Sequence, residues 1–275
     1  MALSVNTNVG AMTALQYLSK TQGDMQTTQN AISTGMKVSS AKDDGAAYAI
    51  AQNMRGNVAS YEAVTDSLNR GMSSVDVAMS AGSSISDLLI QMKQKALSAS
   101  DKSLDTASRS ALNNDFTAMR DQITSIVKNA SFNGYNLLNG TTNSISALAS
   151  VDGQSTIKVS AQNMSLSGGI VSVKTTDKID TVTNAGKMVS TVQTSLKAVN
   201  AALAKLSAGS KQYSIQLSFS SKLSDTVQAG IGNLVDANMA TESARLTALQ
   251  TKQQLGVQAL SIANSAPQTV LSLFQ

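Results

Sequence analysis

The stretch Ile50–Ala96, IAQNMRGNVASYEAVTDSLNRGMSSVDVAMSAGSSISDLLIQMKQKA, decides the fold. Its apolar positions fall at Ile50, Met54, Val58, Tyr61, Val64, Leu68, Met72, Val75, Met79, Gly82, Ile85, Leu89, Met92 and Ala96, and every step between them is three or four residues. A mean step of about 3.5 residues marks a narrow, coiled-coil-like seam on one helix, which would run about 70 Å at ~1.5 Å per residue. Just before it, Ser40-Ala-Lys-Asp-Asp44 places a hydroxyl and two carboxylates where first-turn amides and the positive dipole end favour acceptors and negative charge.

Outward from that seam the chain keeps repeating it. Ser98 to Thr106 is a polar break, and Leu112, Phe116, Met119, Ile123, Val127 and Ala130 then mark a shorter helix that the brief break returns antiparallel. Phe132-Asn-Gly-Tyr-Asn-Leu-Leu-Asn-Gly140 holds two Asn-Gly turn formers. Alternation at Thr156-Ile-Lys-Val159 and Ile170-Val-Ser-Val173 predicts two strands in a small β region over about 132–180. Helical spacing resumes at Val182 and runs to Leu217, and a further stretch carries Leu223, Val227, Ile231 and Leu234.

The two chain ends carry thinner seams. Leu15, Leu18, Met25, Ile32 and Met36 mark the first, with Gln22 and Gln29 filling gaps. Met239, Leu246, Leu249, Leu260, Ala263, Val270 and Phe274 mark the last, with Gln253 and Gly256 interrupting it. The expected architecture is mainly α, a long antiparallel helical bundle or coiled coil formed by both ends with a small central β region. Its expected domains are a discontinuous terminal coiled coil, 1–40 plus 236–275, and a helical bundle, 41–235. The tail Ser265-Ala-Pro-Gln-Thr-Val-Leu-Ser-Leu-Phe-Gln275 crowds Val270, Leu271, Leu273 and Phe274 at a terminus, where chains usually fray. The two terminal helices have only each other for cover, so Leu15, Leu18, Met25, Ile32, Leu246, Leu249, Leu260, Val270, Leu273 and Phe274 are candidate self-assembly residues. Pro267 is expected at the first turn of a last short helix, where no amide donor is required.

Composition narrows the function. With no Cys and no His among 275 residues, thiol nucleophiles, imidazole bases and nearly all zinc, haem and iron–sulfur sites are excluded. Glu62 and Glu242 are the only glutamates, leaving little for paired-carboxylate chemistry. No catalytic, metal or cofactor site is expected. The net charge of +4 is spread over 21 basic and 17 acidic residues with neither a basic stripe nor an aromatic platform, which argues against nucleic acid. The N-terminal residues Met1–Asn8 show no signal-peptide pattern, and no window approaches a membrane span. A single Pro, no Trp and 3% aromatics fit long, uninterrupted helices.

Several motifs together resemble the bacterial flagellins. Val5-Asn-Thr-Asn8, Leu18-Ser-Lys20, Ile32-Ser-Thr-Gly35, Ser40-Ala-Lys-Asp-Asp44 and Ala49-Ile-Ala51 are similar to that family's N-terminal signature. Phe132-Asn-Gly134 with Leu137-Leu138 resembles the turn after its second helix. Asp236-Ala-Asn-Met-Ala-Thr-Glu242, Gln253-Gln254, Ala263-Asn264 and Pro267-Gln-Thr-Val-Leu-Ser-Leu-Phe274 resemble its C-terminus. The resemblance implies an extracellular filament subunit of a short type, lacking the outer variable domains, with paired terminal helices lining a channel. It implies export through the flagellar type III apparatus without a cleaved signal peptide. It implies a homo-polymer and, as partners, a C-terminal export chaperone, hook–filament junction proteins and a distal cap. Lys42, Asp43 and Asp44 would then form a bend and contact neighbouring subunits. In Leu89-Ile-Gln-Met-Lys-Gln-Lys95, Gln91 and Gln94 stand where many enteric flagellins carry an Arg and a Glu read by an innate immune receptor, so weak or no recognition is expected. The alternative from another class is a secreted helical coiled-coil translocator or tip protein of a type III system, which gives no reason for the matched terminal signatures.

Overall fold

The computed structural model describes the backbone of residues 7–271 and the side chains of residues 7–265. Its elements in chain order are α1 (Val9–Thr34), α2 (Gly45–Ala99), α3 (Thr106–Asn129), β1 (Ser144–Leu148), β2 (Thr156–Ser160), α4 (Val182–Val235) and α5 (Met239–Leu271). Two compact units result: residues 1–56 with 226–275, and residues 57–225. The unit boundary falls within α2 and α4. The sequence-based division at 40/41 and 235/236 instead coincides with the connections after α1 and before α5.

The unit 57–225 is built on the long seam. From Val64 onward most of the seam is buried: Leu68, Val75, Ile85, Leu89, Met92 and Ala96 are each at most 1% exposed, with Met72 and Met79 partly buried against them. They share one core with Phe116 and Ile123 of α3 and with Val192, Val199, Leu206 and Tyr213 of α4. Arg109 makes the α2–α3 return possible. Its guanidinium donates to the carbonyls of Ala99 (2.9 Å), Asp101 (2.8 Å) and Leu104 (3.1 Å), satisfying acceptors that the end of a helix leaves orphaned. Asp105 then caps α3 by accepting from the amide of Ser108.

The stretches 182–217 and 223–234 form one unbroken 54-residue helix, α4, since no proline falls between them. One expectation is corrected here. Ile170–Val173 is not a strand of a ladder. Its backbone makes a single parallel bridge, Leu166 with Val171, and the Ser172 amide donates to the Ser195 hydroxyl of α4 at 2.9 Å. The alternation is real, since Val171 and Val173 are fully buried, but a helix side chain takes the place of a neighbouring strand.

The partner of β2 is instead β1, paired antiparallel with Ile145 opposite Val159 and Ala147 opposite Ile157. These residues turn inward over α4. The buried Tyr213 hydroxyl donates to Ile145 O at 3.1 Å and Ile157 O at 3.4 Å, and burial pushes its pKa up to about 12. Gln216 Nε2 donates to Ala149 O at 2.8 Å. Gly209 lets the hairpin approach, since a Cβ there would sit 2.7 Å from both Cγ atoms of Val159. Val159 is β-branched and only 4% exposed, so it has nowhere to swing. Gly209→Ala is therefore expected to destabilise this unit. Overpacking costs about 1–3 kcal/mol against a helix-propensity gain of at most ~1 kcal/mol. Thermal melting checks this, and a raised melting temperature would contradict the close approach.

Candidate assembly surface of the terminal helices

In the unit 1–56 with 226–275, α1 and α5 lie antiparallel. At one end Asn8 caps α1, accepting from the Ala11 amide at 3.0 Å, while its Nδ2 donates to Ala263 O at 2.6 Å. Further along, Gly256 sits against Leu18, where an added Cβ would come within 3.4 Å of Leu18 Cδ1. Gly256 thus faces the partner helix at ordinary van der Waals distance, where the sequence suggested only an interruption. At the other end α1 closes on Gly35 in the left-handed conformation (φ 71°). Met36 bridges to Asp236, and the amides of Lys37 and Ala237 donate to Val235 O and Gly35 O at 2.8 Å each. Asn238 then caps α5, accepting from the amides of Ala240 and Thr241.

The burial of this pair is thin. Over residues 9–34 and 239–265 only Thr28, Ala31 and Leu249 are buried. Of the sequence-derived assembly residues, Leu18, Met25, Ile32, Leu246 and Leu260 are half-buried along the α1–α5 seam, and Leu15 is 56% exposed. The side chain of Val270 lies outside the described residues, as do Leu273 and Phe274. Pro267 does not open a separate helix, because α5 runs through it to Leu271.

The sequence reading missed a second stripe. Val9 and Met12 on α1 and Leu255 and Ile262 on α5 are each more than half exposed, from 58% to 70%. At ~100° per residue Val9 and Met12 lie about 180° and 120° around α1 from Leu18, and Leu255 and Ile262 more than 100° around α5 from Leu249. One stripe on each helix therefore holds the partner helix, and another faces outward uncovered. The clue in the sequence was the set of large apolar residues falling off the seam, which a single-seam reading sets aside as noise.

The Ser40–Asp44 bend is held within the chain. Asp43 Oδ2 accepts from the amide and hydroxyl of Ser39 (3.0 and 2.9 Å) and of Ser40 (2.9 and 3.1 Å). Asp44 Oδ1 caps α2, accepting from the amides of Ala46 and Ala47 at 3.0 Å each. Lys42, Asp43 and Asp44 are all exposed, leaving the Lys42 ammonium on the surface. The Ser39 hydroxyl, the Ser40 amide and the remaining bonds hold the Asp43 carboxyl below the usual carboxylate range. A carboxylate stabilised in the fold contributes fully above its unfolded pKa of about 3.9, and that contribution is lost as pH falls through the lower folded value. The Asp43 side-chain carbon resonance should accordingly titrate below the ordinary carboxylate midpoint and move back up in Ser39→Ala. An ordinary midpoint in the parent chain would mean that the bend is not held this way.

A chain whose two ends fold together into one antiparallel pair, with a helical unit and small hairpin between them, is of the flagellin type. Residues 5–143 match the bacterial flagellin N-terminal helical region, and residues 189–274 match the bacterial flagellin C-terminal helical region. Flagellin FljK of Caulobacter vibrioides is 50% identical over 276 residues, with 100% of both chains covered. A flagellin of Brucella melitensis is 38% identical, with 99% of each chain covered. The chain belongs to the bacterial flagellin family, whose members are structural subunits of the flagellar filament. A putative flagellar hook-associated protein from Vibrio parahaemolyticus shares the fold, with a TM-score of 0.59 at 14% identity over 70% of this chain and 100% of that one. Among the described residues, no helix is long and apolar enough to cross a membrane.

Proposed function

We propose that this chain polymerises with copies of itself into an extracellular flagellar filament used for motility, the α1–α5 pair forming the inner layer that lines the channel. The observation that carries the reading is the second apolar stripe. Val9, Met12, Leu255 and Ile262 are 58–70% exposed on a pair with little buried surface of its own. Exposed apolar area of this kind on thin helices is stabilised when copies cover one another, so ordering of the pair is coupled to assembly. Lys42, Asp43 and Asp44 shape the bend after α1, with the Lys42 ammonium positioned for a neighbouring subunit. Export without a cleaved signal peptide, a C-terminal export chaperone and junction and cap proteins rest on family resemblance. Along Leu89–Lys95, Leu89 and Met92 are buried while Gln91 and Gln94 face solvent, so weak or absent innate-receptor recognition rests on those two uncharged side chains.

Electron microscopy of the purified chain after salting-out tests the reading. Long, uniform helical filaments are expected, and dispersed monomers or closed rings would overturn it in favour of a tip or translocator role.

A further inference from the structure

The seam that joins α1 to α5 is regular. On α5 the covered positions step alternately by three and four through Leu246, Leu249, Gln253, Gly256 and Leu260, and Leu18, Thr21, Met25 and Thr28 keep the same spacing on α1. Leu18 faces Gly256 and Gly10 faces Ala263. Continued along the pair, that antiparallel register sets Thr21 level with Gln253, Met25 with Leu249 and Thr28 with Leu246. Hydroxyls, an amide and a glycine therefore stand at positions where an independently stable two-helix pair would carry aliphatic side chains.

Thr28 differs from the other threonines of α1. Thr13, Thr21, Thr27 and Thr34 each donate their hydroxyl to the carbonyl one turn back, at 2.8–3.2 Å. Thr28 is 1% exposed, and among the described residues its hydroxyl is the one buried side-chain polar atom without a hydrogen-bond partner. Closing the pair strips water from that hydroxyl and returns no bond, which costs free energy. Valine would present the same branched shape at similar helix propensity without the penalty, so the hydroxyl is what threonine adds at this position.

We propose that the Thr28 hydroxyl is a brake on self-assembly: it keeps the α1–α5 pair open in the dissociated chain, so that the pair closes only where neighbouring copies add burial that outweighs it. This rests on the filament reading above and assigns the control of that assembly to one side chain. In the open pair the hydroxyl is hydrated at no cost. Every closure carries the penalty, which raises the concentration at which closing and polymerising together become favourable.

Thr28→Val in the full chain tests the brake. In the dissociated chain the amides of residues 9–34 and 239–265 should exchange about tenfold more slowly than in the parent, and the critical concentration for polymerisation should fall about tenfold. Thr28→Ser keeps the hydroxyl and should do neither. Unchanged exchange and critical concentration in Thr28→Val would show that the hydroxyl finds a partner in solution and carries no penalty. Equal gains in Thr28→Ser would show that the hydroxyl is not the cause. A Thr28→Val chain with protected ends that no longer polymerises would make the hydroxyl a bonding group between copies. Each of these three results overturns the proposal. Failure of the parent chain to polymerise at all would instead remove the filament reading, and the brake with it, while the exchange comparison would still measure what the hydroxyl costs the pair.

Discussion

A chain ending at Asn264 is expected to melt as the full-length protein does in its central unit and to form no filaments. The first half follows from where the core lies. Among the described residues the buried cluster of the unit 57–225 draws on residues from Val64 to Tyr213, with flanking contacts out to Leu217, so the core is expected to survive removal of residues 265–275. The second half follows from how little holds α1 to α5. Burying a large aliphatic side chain contributes about 1.5–3 kcal/mol, whereas ordering each backbone residue costs about 1–2 kcal/mol before hydrogen bonds return part. With so few buried positions across two helices, shortening α5 removes apolar surface that the assembly needs and the subunit cannot replace. Calorimetry of the truncated chain and microscopy of its salted-out product check both halves. Normal filaments would mean that the tail contributes nothing between subunits, and a lost central melting transition would mean that it packs within its own.

The second large effect lies in the core. Leu89 and Phe116 are fully buried on α2 and α3, and truncation to Ala is expected to cost about 2–5 and 3–5 kcal/mol respectively, lost transfer energy plus a cavity. For a unit of this size that lowers the melting temperature by roughly 2–4 °C per kcal/mol. Ile50→Ala supplies the contrast. It sits on the same sequence seam yet is 51% exposed, so its loss should cost under about 1 kcal/mol. Equal effects at Ile50 and Leu89 would contradict the burial described here.

That contrast also shows how far the sequence was legible. The 3.5-residue spacing identified α2 correctly but could not tell that full burial of the seam starts at Val64, because periodicity reports a face and not what covers it. The helices α1, α3 and α5 and the pairing of the two ends were readable from apolar spacing and from the family signatures. β1 was not singled out, since Ser144-Ile-Ser-Ala-Leu148 carries small residues where a strand signal would show bulky ones. Ala147 Cβ lies 3.3 Å from the Cβ position of Gly71, a tertiary approach without local trace. On α1 the same limit appears in reverse. Thr28 is 1% exposed, and its hydroxyl is without a hydrogen-bond partner among the described residues, although a polar residue reads as solvent-facing. The outward stripe of Val9, Met12, Leu255 and Ile262 was invisible for a related reason, because a surface that serves other copies does not follow the seam that serves the chain itself.

Backbone amide hydrogen exchange, followed in the dissociated chain and again in the filament, tests most directly whether the terminal helices are completed by other copies. Residues 9–34 and 239–265 should exchange quickly in the dissociated chain, where few side chains are buried and local opening is cheap, and slowly in the filament. The amides around Leu68, Leu89 and Phe116 should be slow in both. Equally slow exchange of the terminal helices in the dissociated chain would contradict the account, because the α1–α5 pair would then be stable without any neighbour.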